Sequence, residues 1–276
     1  MVSSVILYSW AVPAFTSGSP VDHTWVTTYD NRKHPYASAK AVVAAKENYW
    51  FCWGDFHPAG GTPGNVTGFL GSQSGDPALA KCLVLPNADS RNAPAARGTI
   101  FIYAVDGVCH QLANQALYAT GKKGPQLTVK AARGYIASTF IYGTFGLQHA
   151  AWAAKVQGCG GASTLAAAPQ GGVMKMHDLP DDFESHARSV LGDTDAALLS
   201  KLLALKGEVH AFAMLKAPGF TPPDAATINA RNQHLIDQAA ILLGPEKFES
   251  VFGFPAGVKI SLADPSLMPA PAKLRR

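Results

Sequence analysis

The chain has 276 residues, a formal net charge of +4 and a hydrophobic content of 47%, a composition typical of a globular protein with a sizeable core. Lysine and arginine are scattered apart from the C-terminal KLRR, so we expect neither a nucleic-acid partner nor a charged surface that binds membranes. No apolar run approaches ~20 residues, which argues against a membrane span.

The apolar N-terminus is predicted to be a first core strand. It is rich in β-branched and aromatic residues, and no basic residue precedes it as in a signal peptide. The four cysteines, Cys52, Cys82, Cys109 and Cys159, are far apart without a CxxC pair, which indicates neither a zinc cluster nor a dense disulfide framework. We therefore expect reduced thiols and a cytoplasmic location, with an exported protein carrying one or two disulfides as the alternative.

Four aromatic and β-branched segments of the first half are predicted to be strands, at residues 5–12, 22–29, 48–54 and 98–105. The connection between the last two, residues 55–97, is dense in Gly, Pro, Asn and Ser. We expect that connection to form a wall or lid of a pocket.

Helical spacing follows in residues 109–120, where apolar or small side chains recur on one face and polar ones on the other. Residues 134–146 favour a further strand pair, or a strand and a turn. Amphipathic helices are predicted from 181 to about 191, from 193 to about 206 and from 222 to 243, the last capped by Thr221, with one more short helix after it.

The predicted fold class is α+β, a mostly antiparallel sheet with a cysteine-bearing helix packed on it, followed by a helical C-terminal region. The predicted boundaries are a catalytic core at 1–160, the helical region at 161–262 and a surface tail at 263–276.

Cys109 is the candidate nucleophile because it opens the predicted helix directly after a predicted strand. The free amides and the dipole of a helix N-terminus favour an anion, so a thiolate there becomes accessible near neutral pH. The alternative is a cysteine that merely packs in the apolar stripe.

A thiolate needs a base and a group that orients the base. His110 adjoins Cys109 but projects away around the helix, whereas His23 stands at the start of a predicted strand. If the strands at 22–29 and 48–55 pair antiparallel, with Tyr29 opposite Asn48 or Tyr49, His23 lies opposite Gly54 or Asp55. Asp55 is therefore the candidate orienter.

This order of residues resembles the circularly permuted papain-like group, which includes the lecithin:retinol acyltransferase-like and related NlpC-type amidases. In its members, as in this chain, a strand histidine and a polar residue on the neighbouring strand precede a cysteine that opens a helix. The resemblance covers residues 1–125 and implies Cys109 as nucleophile, His23 as base and Asp55 as orienter. The long segments at 30–47 and 55–97 depart from it.

The expected chemistry is attack of Cys109 on an amide or ester of a small-molecule or peptide substrate, through an acyl-thioester and without a cofactor or metal. The backbone amide of Cys109 is the first candidate oxyanion donor, and Gln111 or a side chain of residues 53–57 the second. Trp25 and Trp53 are the aromatic residues expected to contact the substrate.

Two other functions compete with the thiol enzyme. Asp55 and His57, with His23, His34 or His110, would supply ligands for a metal-dependent hydrolase. The aromatic residues of the predicted strands would alternatively line a pocket that binds a small molecule without chemistry.

Overall fold

The computed structural model describes residues 5–13, 20–30, 32–33, 50–51, 68–75, 102–120, 127–147, 181–214, 220–265 and 268. Within these ranges the chain forms an antiparallel four-stranded sheet and six α-helices. This is the α+β class expected from the sequence. In the same ranges, the helices are too short or too polar to cross a membrane.

The sheet consists of β1 (Val5–Pro13), β2 (Asp22–Thr27), β3 (Trp50–Phe51) and β4 (Gly68–Gly75). The strand order is β3-β2-β1-β4, and every pairing is antiparallel. The two central strands, β1 and β2, follow the alternation of aromatic and β-branched residues that predicts them.

The register between β2 and β3 places Val26 opposite Phe51 and Thr27 opposite Trp50. This is the first of the two predicted registers, the one that aligns Tyr29 with Asn48. In that register the sequence argument sets Gly54, and not Asp55, opposite His23. Residues 52–67, including Trp53 and Asp55, lie outside the described part of the chain.

Part of the predicted Gly/Pro-rich connection is a strand, because β4 pairs along the edge of β1 that faces away from β2. The side chain of Gln73 in β4 donates to Leu117 O and accepts from Leu127 N at 3.0 Å. Leu117 lies about two turns along its helix from Cys109. The predicted wall or lid stays a prediction, because residues 55–67 and 76–97 lie outside the described part of the chain.

The helices are α1 (Cys109–Thr120), α2 (Tyr135–Tyr142), α3 (Asp182–Leu191), α4 (Ala196–Met214), α5 (Ala225–Leu243) and α6 (Pro245–Phe252). Helices α3 to α6 confirm the helices predicted for the C-terminal region, except that α4 ends eight residues after its predicted end at 206. Asp224, and not Thr221, caps α5, since its carboxylate accepts from Thr227 N at 2.7 Å. Asp181 caps α3 in the same way.

Helix α2 replaces the strand pair expected at residues 134–146. Seven of its eight side chains are buried, and a helix covered on all sides has no polar stripe that distinguishes it from a buried strand. Gly134 begins it at φ 72°, where a Cβ atom would lie 2.7 Å from the Val21 side chain. This close approach brings the start of α2 against the start of β2.

The strand expected at 98–105 is likewise a tight turn in its described part. Ala104 has a positive φ of 61°, and its amide donates to Gly107 O at 2.7 Å. The turn directs the chain into α1 two residues later.

One cluster of buried apolar side chains joins the sheet and α1 to the C-terminal helices, through residues such as Val26, Ala113, Phe140 and Phe252. Ala263, the first residue of the predicted surface tail, is also buried in this cluster. Its backbone exchanges two hydrogen bonds with the Asn229 side chain, at 2.8 and 2.9 Å. The core therefore extends past the predicted start of the tail.

Candidate functional site

Cys109 is the first residue of α1, as predicted. The start of the helix is fixed by Gln111, whose side-chain oxygen accepts from Val108 N at 3.0 Å. This contact, from the third helical position back to the N-cap amide, is one half of a capping box.

Gln111 is not available to a substrate, in contrast to the prediction. Its amide nitrogen donates to Gly143 O at 3.0 Å and to Ser138 Oγ at 3.4 Å, and the residue is fully buried. Both ends of the side chain are used inside the fold, so Gln111 positions α1 against α2.

The sulfur of Cys109 lies against β2. Sγ is 3.9 Å from the carbonyl oxygen of Asp22, and the amide and hydroxyl of Thr24 lie beside it, as do the amides of Cys109 and His110. Three backbone N–H groups and one hydroxyl thus surround the sulfur, with a single carbonyl to accept its proton.

Burial raises the pKa of the Cys109 thiol to about 11, although hydrogen bonds from Thr24, His110 and Cys109 itself act in the opposite direction. Cys109 is only 6% exposed, and the loss of hydration outweighs the helix N-terminus. The expected lowering of this pKa is therefore wrong for the unliganded protein.

His23 lies in β2 between the two residues that touch the sulfur. Its ring stacks on Trp25, with centroids 6.0 Å apart. Since side chains alternate along a strand, His23 and Trp25 lie on one face of β2 and Thr24 on the other. A direct contact of His23 with Cys109, which the assignment of His23 as base implies, conflicts with this alternation.

His23 is a neutral imidazole near pH 7. Burial, followed by repulsion from His110, lowers its pKa to about 3. Its stacking partner Trp25, expected to contact a substrate, is completely buried. In this structure Trp25 therefore supports the histidine and presents no surface to a ligand.

His110 has both ring nitrogens engaged. Nε2 lies 2.9 Å from Asp22 O, and because a carbonyl only accepts, Nε2 carries the hydrogen. Burial lowers the pKa of His110 to about 4, so Nδ1 is bare near pH 7 and faces Ser138 Oγ at 2.8 Å. His110 therefore binds β2 to α2 and is not placed to take the proton of Cys109.

Asp22 is the residue that the sequence analysis missed. Its carbonyl faces Cys109 and His110, while its carboxylate accepts from Arg133 N and Nε, each at 2.9 Å. The Asp22 amide also donates to Arg133 O at 3.0 Å. Arg133 thus holds the start of β2.

The rest of the polar face of α1 is also buried. Asn114 donates to Thr144 O and accepts from Val129 N, and Gln115 donates to Phe145 O. These bonds satisfy the irregular backbone on both sides of α2. The polar residues that follow Cys109 in sequence are therefore a scaffold for the site.

The described residues hold no group of three His, Cys, Asp or Glu side chains that could bind a metal ion. Asp55 and His57, which the metal alternative requires, lie outside them, as does His34, one of its three candidates for a further ligand. Cys52, Cys82 and Cys159 lie outside them as well, whereas Cys109 is a free thiol.

Comparison of the chain with protein-family models, curated proteins and solved structures gave no match. The resemblance to the permuted papain-like group stays a prediction from the order of its residues.

Proposed function

We propose that the chain is a thiol-dependent hydrolase or acyltransferase that acts on an amide or ester through an acyl-thioester on Cys109. The observation that carries the proposal is the donor set around the sulfur: the amides of Cys109, His110 and Thr24 and the Thr24 hydroxyl converge on one atom at a helix N-terminus. Such a set favours negative charge at or beside the sulfur.

The resting site is neutral in this mechanism, because the pKa of Cys109 is raised to about 11 and that of His23 is lowered to about 3. The thiol proton leaves as the sulfur attacks the carbonyl carbon, and a preformed thiolate–imidazolium pair is not required. The amide of Cys109 is the oxyanion donor.

His23 is the proposed base. Of the other described histidines, His110 is engaged at both nitrogens, His186 and His210 bond the carbonyls of Val251 and Phe140, and His234 is exposed on α5. Because the His23 ring and the Thr24 side chain leave β2 on opposite faces, the proton passes around the strand edge through a water or a substrate atom. In the observed register the sequence argument sets Gly54 opposite His23, so the proposal of Asp55 as the orienter rests on the resemblance to the permuted papain-like group.

The test is acyl transfer from p-nitrophenyl acetate, followed by p-nitrophenolate release and by mass spectrometry of the peptide that carries Cys109. We expect an acetyl group on Cys109 in the wild type and none in Cys109→Ser. His23→Gln should slow acylation by roughly 10²-fold or more, the usual contribution of a general base. Asp55→Asn should slow it less, because an orienter acts through the histidine.

His186→Gln is the matched control, since it removes a partly buried histidine whose ring bonds a backbone carbonyl in the helical region. It should leave acylation unchanged. Acetylation of Cys109 at the same rate in His23→Gln as in the wild type would contradict the proposed base. No acetylation of Cys109 in any form would favour the non-catalytic alternative, a small-molecule-binding protein in which Cys109 is a packed core residue.

A further inference from the structure

Thr24 contains a buried hydroxyl that the fold leaves unused. The residue is 1% exposed, and Oγ1 has no hydrogen-bond partner of regular geometry among the described residues. A buried polar group without a partner is unfavourable. The same oxygen lies beside the sulfur of Cys109 and favours its thiolate.

The groups around the sulfur contain more donors than a thiol needs. Among the described residues the acceptor in contact with it is Asp22 O, which receives the S–H, whereas the amides of Thr24, Cys109 and His110 all favour the anion. A neutral thiol is a weak acceptor and a thiolate a strong one. The Thr24 hydroxyl therefore gains a full hydrogen bond only when the sulfur is charged.

We propose that Thr24 is a catalytic residue, whose hydroxyl donates to the Cys109 sulfur as the thiol proton leaves. The S–H proton passes through a water or a substrate atom to the imidazole of His23, and the electron pair of the S–H bond forms the C–S bond. The carbonyl π pair moves to oxygen, and Thr24 keeps its proton throughout. The inference rests on the proposed function, from which the carbonyl attack and the proton transfer to His23 are taken.

The experiment compares Thr24→Val, which keeps the shape and removes the hydroxyl, with Thr24→Ser, which keeps the hydroxyl. The probe is methyl methanethiosulfonate, a small reagent suited to a buried thiol, and the rate of modification of Cys109 is followed at pH 8. Thr24→Val should slow modification by about tenfold, as expected for loss of a hydrogen bond to a charged group. Thr24→Ser should stay within about twofold of the wild type, since the donor remains.

Thr27→Val is the matched control on the same strand. Thr27 is also buried, but its hydroxyl accepts from Trp10 Nε1 at 2.9 Å and donates to Tyr29 O at 2.6 Å. This variant should be less stable against urea than the wild type. Its rate of Cys109 modification should equal that of the wild type. Thr24→Val should lose no stability, because its hydroxyl has no regular bond to give up.

Modification of Thr24→Val at the wild-type rate would overturn the inference, as would a rate in Thr24→Ser as low as in Thr24→Val. Rates that only follow the urea stability of each variant would also overturn it. If p-nitrophenyl acetate is not used but Thr24→Val still slows modification, the acyl-transfer function is rejected, whereas the hydrogen bond from Thr24 to the Cys109 thiolate is supported.

Discussion

Asp22 connects three parts of the molecule through one residue. Its carbonyl accepts a hydrogen bond from His110 of α1, and its carboxylate accepts from Arg133, which lies before α2. Its own backbone belongs to β2. The carboxylate is 12% exposed and Arg133 is 55% exposed, so the pair lies at the boundary of the core. Hydrogen bonds of this charged type stabilise more than neutral ones.

Asp22→Asn should lower the free energy of unfolding by about 1 to 2 kcal/mol. The neutral amide has one oxygen in place of two, so it loses one hydrogen bond and the charge attraction to Arg133. Arg133→Lys should cost a similar amount, since lysine lacks the planar fork. Urea denaturation measures both changes.

Arg188→Gln is the control for this prediction. Arg188 pairs with Glu184 one turn away, and both side chains are exposed, so its loss should cost no more than about 0.5 kcal/mol. Equal effects of Arg188→Gln and Asp22→Asn would show that Asp22 is an ordinary surface charge.

At the scale of helices and strands, the sequence contains one signal that the predictions did not use. The polar face of α1 consists of His110, Gln111, Asn114 and Gln115, and the helix has no charged residue. A solvated helix face normally carries Lys, Arg or Glu, so an uncharged polar face indicates a buried hydrogen-bond network. That network is what the structure contains.

Other elements show where sequence patterns suffice. Helices α3, α5 and α6 have one polar face, and their periodicity predicts them. Helix α2 is buried all round and carries no such information. The position of Cys109 follows from local pattern, whereas its contact with Asp22 joins residues 87 positions apart. Contacts of that separation depend on how α1 packs on β2, which no local pattern encodes.

Helices α3 and α4 are held together by a buried charge. Lys206 Nζ pairs with Asp181 Oδ2, and the Lys206 side chain is 8% exposed. Asp181 also caps α3 by accepting from Glu184 N at 3.1 Å.

Asp181→Ala should lower the free energy of unfolding by about 3 to 5 kcal/mol, because it leaves the ammonium of Lys206 buried and unpaired and removes the cap. Asp181→Ser, which can still cap, should recover about 1 kcal/mol of that loss. Lys206→Met should cost less than Asp181→Ala, because Asp181 is 30% exposed and can be hydrated. Urea denaturation that gave Lys206→Met the larger loss would contradict this account.

For the whole molecule, the buried titratable groups limit the pH range of stability. The pKa values of His23 and His110 are lowered to about 3 and about 4 from 6.5, so the unfolded chain takes up protons first as the pH falls. The contribution of the two neutral histidines to the free energy of unfolding is fully present above pH 6.5. It is lost as the pH falls to about 4 for His110 and about 3 for His23. The raised pKa of Cys109, about 11 against 9.0, has the opposite consequence, and stability declines above pH 9.

We therefore expect a plateau of stability between about pH 6.5 and 9, measured as urea midpoints across the pH range. On the acid side each histidine contributes on the order of 3 to 5 kcal/mol. His23→Gln should make the acid decline shallower, while His234→Gln, at an exposed position of α5, should leave it unchanged. An acid decline of the same slope in His23→Gln and the wild type would be inconsistent with a buried neutral His23.

The contacts of Asp22 also influence the order in which the chain folds. Its partners Cys109, His110 and Arg133 follow it by 87, 88 and 111 residues, and closing loops of that length is slow compared with local helix formation. During synthesis β2 leaves the ribosome long before Arg133 does. The start of β2 therefore lacks its hydrogen-bond partners until most of the N-terminal half has been synthesised. On a nascent chain we therefore expect Cys109 to react with thiol reagents once it has left the ribosome, and to become shielded after Arg133 has also left and bound Asp22.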